Sequence, residues 1–153
     1  MDWACRGPFT IRGFFGLMAD FLVHAPVMVP VSPGELFDKK TILEIKQERV
    51  TDESKLVFVR RELDLLSRAT AEVLETSPEA AAIEQVQAEL LAVNKRLWDI
   101  ENEVRHAERE SRFDAKFIEA ARQVYLTNDR RAALKHRINA LLGSQLDEVK
   151  EHL

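Results

Sequence analysis

The chain has 153 residues, of which 46% are hydrophobic and 31% are charged, and this balance predicts one folded domain rather than disorder. A formal net charge of -4 excludes a general electrostatic attraction to nucleic acid or to anionic lipid. Cys5 is the single cysteine, which rules out an intrachain disulfide and a multi-cysteine zinc site and favours a reducing, cytoplasmic compartment.

The first thirty residues belong to a different compositional class from the rest. Arg6 and Arg12 precede an apolar run over 13–23, as in a signal peptide, but the run contains Asp20 and is too short to span a bilayer. Three interpretations stay open: a weakly packed tail, an interfacial anchor, or sequence upstream of a true start at Met28. We therefore predict an N-terminal extension over 1–30 and a single helical domain over 31–153.

A helix-start signal follows this extension. Ser32-Pro33-Gly34-Glu35 combines an N-cap serine, proline at the first helical position, and a glutamate whose carboxylate can reach back to the cap amide. We expect the first helix to run from this motif to about Val50. Thr51 and Asp52 then end it and cap the second helix.

Two heptad seams predict the second and third helices. The apolar positions recur at alternating spacings of three and four, which is the pattern of a coiled coil. The seam of the second helix is Leu56, Val59, Leu63, Leu66, Thr70 and Val73, and that of the third is Ile83, Val86, Leu90, Val93, Leu97, Ile100, Val104 and Ala107. Ser77-Pro78 marks the start of the third helix. Because the link is short, we expect the two helices to form an antiparallel hairpin with facing seams.

A fourth helix begins at Asp114 and ends near Leu142, with Gly143 as its C-cap. The fold class predicted from these signals is all-α, a bundle of about four long helices.

The sequence carries none of the common motifs of catalysis or cofactor binding. It contains no glycine-rich phosphate loop, no His-Glu-x-x-His and no Gly-x-Ser-x-Gly, and its four histidines do not fall at metal-ligand spacing. We therefore assign no metal and no cofactor. The basic residues around Arg131 and Lys135 have no aromatic platform beyond Tyr125, so nucleic acid is not expected as a partner.

Polar residues interrupt the apolar seams. In the fourth helix, steps of three and four land on Asn128, Arg131 and Lys135 before returning to Ile138. Together with polar positions on the first and third helices they form a predicted belt across one level of the bundle. The candidate ligand-binding residues are Glu35, Lys39, Asn94, Glu101, Arg105, Asn128, Arg131, Lys135 and Asn139.

The belt has two interpretations. Long stems can cover apolar surface while their charged ends pair at the rim. Alternatively, because burying unpaired charge is costly, the belt awaits a carboxylate or phosphate ligand.

The run from Val31 to Lys39 resembles the opening of a bacterial family known as a domain of unknown function. Further similar pieces are Arg60–Leu63, Val93-Asn94, Leu97-Trp98, Ile100-Glu101, Asn128-Asp129, Arg131, Leu134-Lys135 and Ile138-Asn139. The resemblance covers about Val29 to Lys150 and implies a start just before the motif, which agrees with Met28. It also implies a setting in sugar or surface-polysaccharide metabolism, and it carries no catalytic residues over. A looser similarity, in residue types alone, is to the all-helical chorismate mutases, whose pocket holds a dicarboxylate.

Two functional hypotheses follow. The first is a helical interaction or accessory protein that associates with itself or with a protein partner through its helix faces. The second is a small binding protein or enzyme whose polar belt holds an anionic metabolite, such as a sugar phosphate or a carboxylate.

Overall fold

A computed structural model of the protein describes residues 27–149. It contains four helices: α1 (Pro33–Arg49), α2 (Glu53–Thr76), α3 (Ala80–Arg109) and α4 (Ala115–Leu141). No strand occurs between residues 27 and 149, so the predicted all-α class is confirmed. The interpretations offered for residues 1–26 lie outside the described residues, and the domain boundary near residue 30 stays a prediction.

Side-chain caps begin three of the helices where the sequence predicts them. The Ser32 hydroxyl accepts a hydrogen bond from the Glu35 N–H at 3.3 Å, and the capping residues of α2 and α4 are Asp52 and Asp114. The α3 start differs from its prediction. Regular helix begins at Ala80, and the Ser77 hydroxyl accepts from the Glu79 N–H at 3.1 Å in the turn before it.

The end of α4 reverses the chain at Gly143. This glycine has φ +59°, its N–H donates to the Ala140 carbonyl at 3.2 Å, and the Ser144 N–H donates to the Asn139 carbonyl at 2.9 Å. These two bonds define a Schellman motif, which needs a left-handed residue that glycine adopts without steric cost. The residues after Gly143 therefore fold back toward α4.

α1 is the central helix, because it packs extensively on α2, α3 and α4, whereas α3 touches α2 only slightly and α2 makes no contact with α4. The most extensive packing is between α3 and α4, which run antiparallel as a hairpin joined by residues 110–114. The predicted pairing of α2 with α3 through facing seams is not confirmed, since these helices touch little and α2 packs mainly on α1.

The apolar core joins α1, α3 and α4. The α3 seam is confirmed, since seven of its eight predicted positions are buried, with Val104 half-buried. The central cluster consists of Phe37, Ile83, Val86, Leu90, Val93, Leu134 and Ile138. Val73 and Leu74 at the end of α2 pack against it. Burying one such side chain stabilises the fold by about 1.5–3 kcal/mol, so this cluster provides much of the driving force for folding.

Within residues 27–149, none of the helices is long and apolar enough to cross a membrane.

Candidate functional site

Asp38 of α1 is the centre of a buried polar network. Its side chain is only 2% exposed. Arg131 of α4 donates two parallel hydrogen bonds to its carboxylate, from Nε to Oδ1 at 2.8 Å and from Nη2 to Oδ2 at 2.5 Å. This bidentate geometry is the strongest arrangement available to an arginine and a carboxylate.

Asn94 of α3 completes the network. Its Nδ2 donates to Asp38 Oδ1 at 2.9 Å and to Thr41 Oγ1 at 2.8 Å, while the Thr41 hydroxyl donates to the Asp38 carbonyl at 2.8 Å. We call Asp38, Thr41, Asn94 and Arg131 the polar network. Its hydrogen bonds join α1, α3 and α4.

One turn away, the start of α1 lies directly against α4. The Gly34 N–H donates to Asn139 Oδ1 at 2.7 Å. A Cβ atom at Gly34 would lie 2.5 Å from the Lys135 carbonyl oxygen, so only glycine allows this close approach. Beside it, the Glu35 carboxylate pairs with the Lys135 ammonium. Glu35, the glutamate of the helix-start motif, thus forms an ion pair with α4. A capping box alone does not predict this contact.

The segment after α4 supplies two more carboxylates. Asn139 Nδ2 donates to Asp147 Oδ1 at 2.6 Å, and the second oxygen of Asp147 pairs with His136. Glu148 pairs with Lys135, which therefore bridges Glu148 and Glu35. We call residues 144–149 the acidic tail.

The electrostatics of these groups follow from their partners. The hydrogen bonds from Arg131 to Asp38 raise the pKa of the guanidinium further above its usual value, and it stays charged. Burial alone lowers the pKa of Lys135, but its bonds to Glu148 and Glu35 outweigh burial and leave that pKa raised. The hydrogen bond from Asn139 lowers the pKa of Asp147. All three groups are therefore ionised at neutral pH.

Five of the predicted candidates meet in this region: Glu35, Asn94, Arg131, Lys135 and Asn139. A sixth, Asn128, lies at its edge, where its Oδ1 accepts from Arg131 Nη1 at 3.5 Å.

The other three candidates lie apart from the network. Lys39 forms an exposed pair with Glu62 of α2, at 2.5 Å. Glu101 and Arg105 pair with each other at 3.4 Å on the exposed side of α3.

Sequence reasoning missed Asp38, Thr41 and the acidic tail. The sequence gives one indication that Asp38 belongs to the site: it lies three residues after Glu35 and so shares its helix face. The tail carries none, because its contacts depend on the chain reversal at Gly143.

The network is internally matched. In residues 27–149, no buried side-chain nitrogen or oxygen atom lacks a hydrogen-bond partner. In the same range, no cluster of three or more His, Cys, Asp or Glu side chains could bind a metal ion. A satisfied buried ion pair is weak evidence for added stability, but removing one partner is costly because it leaves an uncompensated buried charge. Binding of a ligand by the candidate residues stays a prediction.

An open groove of about 380 Å³ lies between α1, α2 and α3, and its lining contains none of the four network residues. Lys40, Ser67, Glu84 and Gln87 contribute to its lining. Lys40 pairs with Glu44 at 2.7 Å. Lys40 and Glu84 give the groove charges of both signs, so it shows no concentration of one charge.

Fold and site together define a class: a four-helix all-α domain whose central helix is held by a buried polar network. Comparison of sequences gives the family. Residues 27–152 match the family described as "Family of unknown function (DUF6165)", and the chain belongs to it. No curated protein and no solved structure matches the chain significantly.

Proposed function

We propose that this protein is a helical interaction protein that self-associates through exposed apolar side chains of α2 and α4. The observation that carries the proposal is the distribution of exposed large hydrophobic residues. Within residues 27–149, apart from the segments before α1 and after α4, they occur only on α2 between Val57 and Leu65 and on or just before α4 between Phe113 and Leu126.

The exposed residues of α4 form a stripe. Ile118 is 57% exposed and Tyr125 is 53% exposed, and the exposed Ala121 lies between them. Spacings of three and four place these residues on one helix face. Phe113, also exposed, makes an edge-to-face contact with Phe117 at 5.1 Å between ring centroids. We call Phe113, Ile118, Ala121 and Tyr125 the apolar arm.

A second stripe lies on α2. Phe58 is 69% exposed, and Leu65, which is also exposed, lies seven residues further on. Seven residues are two helical turns, so both face the same direction. Glu62, which lies between these two residues, pairs with Lys39, so this stripe lies alongside α1.

Single exposed hydrophobic residues are normal on a protein surface, but grouped ones indicate an interaction site. Heptad spacing on a solvent-facing side is what a second helix needs in order to pack against it. A homo-oligomer buries such a stripe against its own copy with two-fold symmetry. These features support self-association as the function of the two stripes.

The test is the mass of the full chain by analytical ultracentrifugation from 1 to 200 µM. We expect a concentration-dependent mass and an unfolding midpoint that rises with protein concentration. Ile118→Ser with Tyr125→Ser should weaken association by at least about tenfold, since truncating central interface residues costs on the order of 1–2 kcal/mol each. Val31→Ser, outside both stripes, is the control. A monomer at every concentration refutes the proposal.

The alternative function, a pocket for an anionic metabolite, stays a prediction. Arg131 and Lys135 already hold carboxylates of the same chain, so such a ligand must displace Asp38, Glu35 or Glu148. A ligand at a hundred times its dissociation constant adds roughly 2.7 kcal/mol to stability. A panel of sugar phosphates, nucleotide sugars and carboxylates tests this function and the implied link to sugar metabolism. A shift in melting temperature that Arg131→Ala abolishes favours the pocket.

A further inference from the structure

The acidic tail is held on α4 by polar contacts. Asp147 and Glu148 place their carboxylates on Asn139, His136 and Lys135. Leu146, between the turn and these acids, is substantially exposed, and Val149 after them is almost fully exposed. The tail therefore buries little apolar surface, and segments with few buried apolar contacts open more readily than the packed core.

The three α4 residues form a surface that recognises a pair of acids. Lys135, His136 and Asn139 lie within about one turn of the helix and present an ammonium, a ring nitrogen and an amide N–H₂. Each contacts a different carboxylate oxygen: the amide takes Asp147 Oδ1, the ring Asp147 Oδ2, and the ammonium Glu148 Oε2. We call these three residues the acid-binding surface.

We propose that the acid-binding surface is a docking site for an acidic segment of a partner protein, and that the chain's own tail occupies it in cis. The tail shows which chemistry fits: two consecutive acidic residues whose backbone bends so that the Glu148 N–H bonds Asp147 Oδ1 at 3.0 Å. This site is separate from the apolar arm, and it does not depend on self-association.

Because the chain's own tail occupies the site, it lowers the apparent affinity of the site for a partner. A short tether holds the tail at an effective concentration in the millimolar range, so it competes with any external segment. If the tail is docked nine-tenths of the time, the apparent affinity for a partner falls about tenfold. The tail thus acts as an internal competitor, and releasing it turns binding on.

The experiment compares the native full chain with the variant Asp147→Asn/Glu148→Gln, which keeps the tail but removes its charges. The probe is a peptide with the sequence of residues 144–149, Ser-Gln-Leu-Asp-Glu-Val, and the readout is the NMR shift of the Asn139 side-chain amide. The variant should bind the peptide about tenfold more tightly than the native chain. Adding Lys135→Met to the variant should abolish binding.

Two controls separate the site from general charge. Glu103→Gln/Glu108→Gln removes the same two charges from exposed positions of α3 and should bind the peptide no better than the native chain. A helical circular dichroism spectrum confirms that each variant is folded. Equal peptide affinity in the native chain and the variant overturns the proposal. Tighter binding of inorganic phosphate than of the peptide also overturns it, because the site would then take small anions.

Discussion

Removing the Asp38 carboxylate tests whether the polar network holds the bundle together. Asp38→Ala deletes the acceptor of two hydrogen bonds from Arg131 and one from Asn94, and it leaves the guanidinium without its counter-charge. Breaking a fully buried ion pair from one side costs about 3–5 kcal/mol. The Arg131 side chain is 26% exposed and can recover some hydration, which places the loss near the lower limit, about 3 kcal/mol.

The measurement is the free energy of unfolding from urea titration, supported by the melting temperature. At roughly 2–4 °C for each kcal/mol in a chain of this size, the midpoint should fall by about 6–12 °C. Glu62→Ala removes the exposed partner of Lys39 and is the matched control, with an expected loss below about 1 kcal/mol.

A double-mutant cycle with Arg131→Ala shows whether the loss comes from the pair. Once Asp38 is gone, removing the stranded guanidinium should cost little more, so the coupling energy should reach at least about 2 kcal/mol. Additive losses, or a loss below about 1 kcal/mol for Asp38→Ala, would contradict the assigned role of the network.

Four further substitutions test other parts of the structure. Gly34→Ala drives a Cβ into the Lys135 carbonyl and should cost about 1–3 kcal/mol by urea unfolding, whereas Gly143→Ala meets only backbone strain of about 1–2 kcal/mol. Leu90→Ala in the core should cost about 2–5 kcal/mol, measured in the same way, and a neutral result would contradict its burial. Because the pKa of Asp147 is lowered, its stabilising effect should persist above the ordinary value of 3.8 and disappear as pH falls through the lower folded value. Asp147→Asn should flatten that acid limb in urea midpoints recorded between pH 2 and 6.

Local signals explain what could be predicted from the sequence. The caps at Ser32, Asp52 and Asp114 depend on residues within three positions, and the α3 seam depends only on helical periodicity. The same periodicity placed Arg131 and Lys135 on the seam of α4, the face that packs against the other helices. Such patterns show which face of a helix is buried.

Local sequence patterns do not show which neighbouring helix covers the buried face. α2 has a regular seam, yet only Leu56 and Thr70 in it are fully buried, because α1 rather than α3 is its main neighbour. The partners of Asp38 and Glu35 lie 93 and 100 residues away, a separation at which no local rule applies. Lys39, next to Asp38, turns to the other side of α1 and pairs with α2.

The hydrogen bond from Gly34 to Asn139 spans 105 residues, which has a consequence for biosynthesis. While the ribosome is still making α4, α1 has neither Arg131 nor Asn139 to dock against, so the Asp38 carboxylate lacks its counter-charge. Synthesis of about 100 residues at 5–20 residues per second takes roughly 5–20 s. During that interval α1 can lie only against α2 and α3, and its N-terminal turn becomes fixed only after the last helix has emerged.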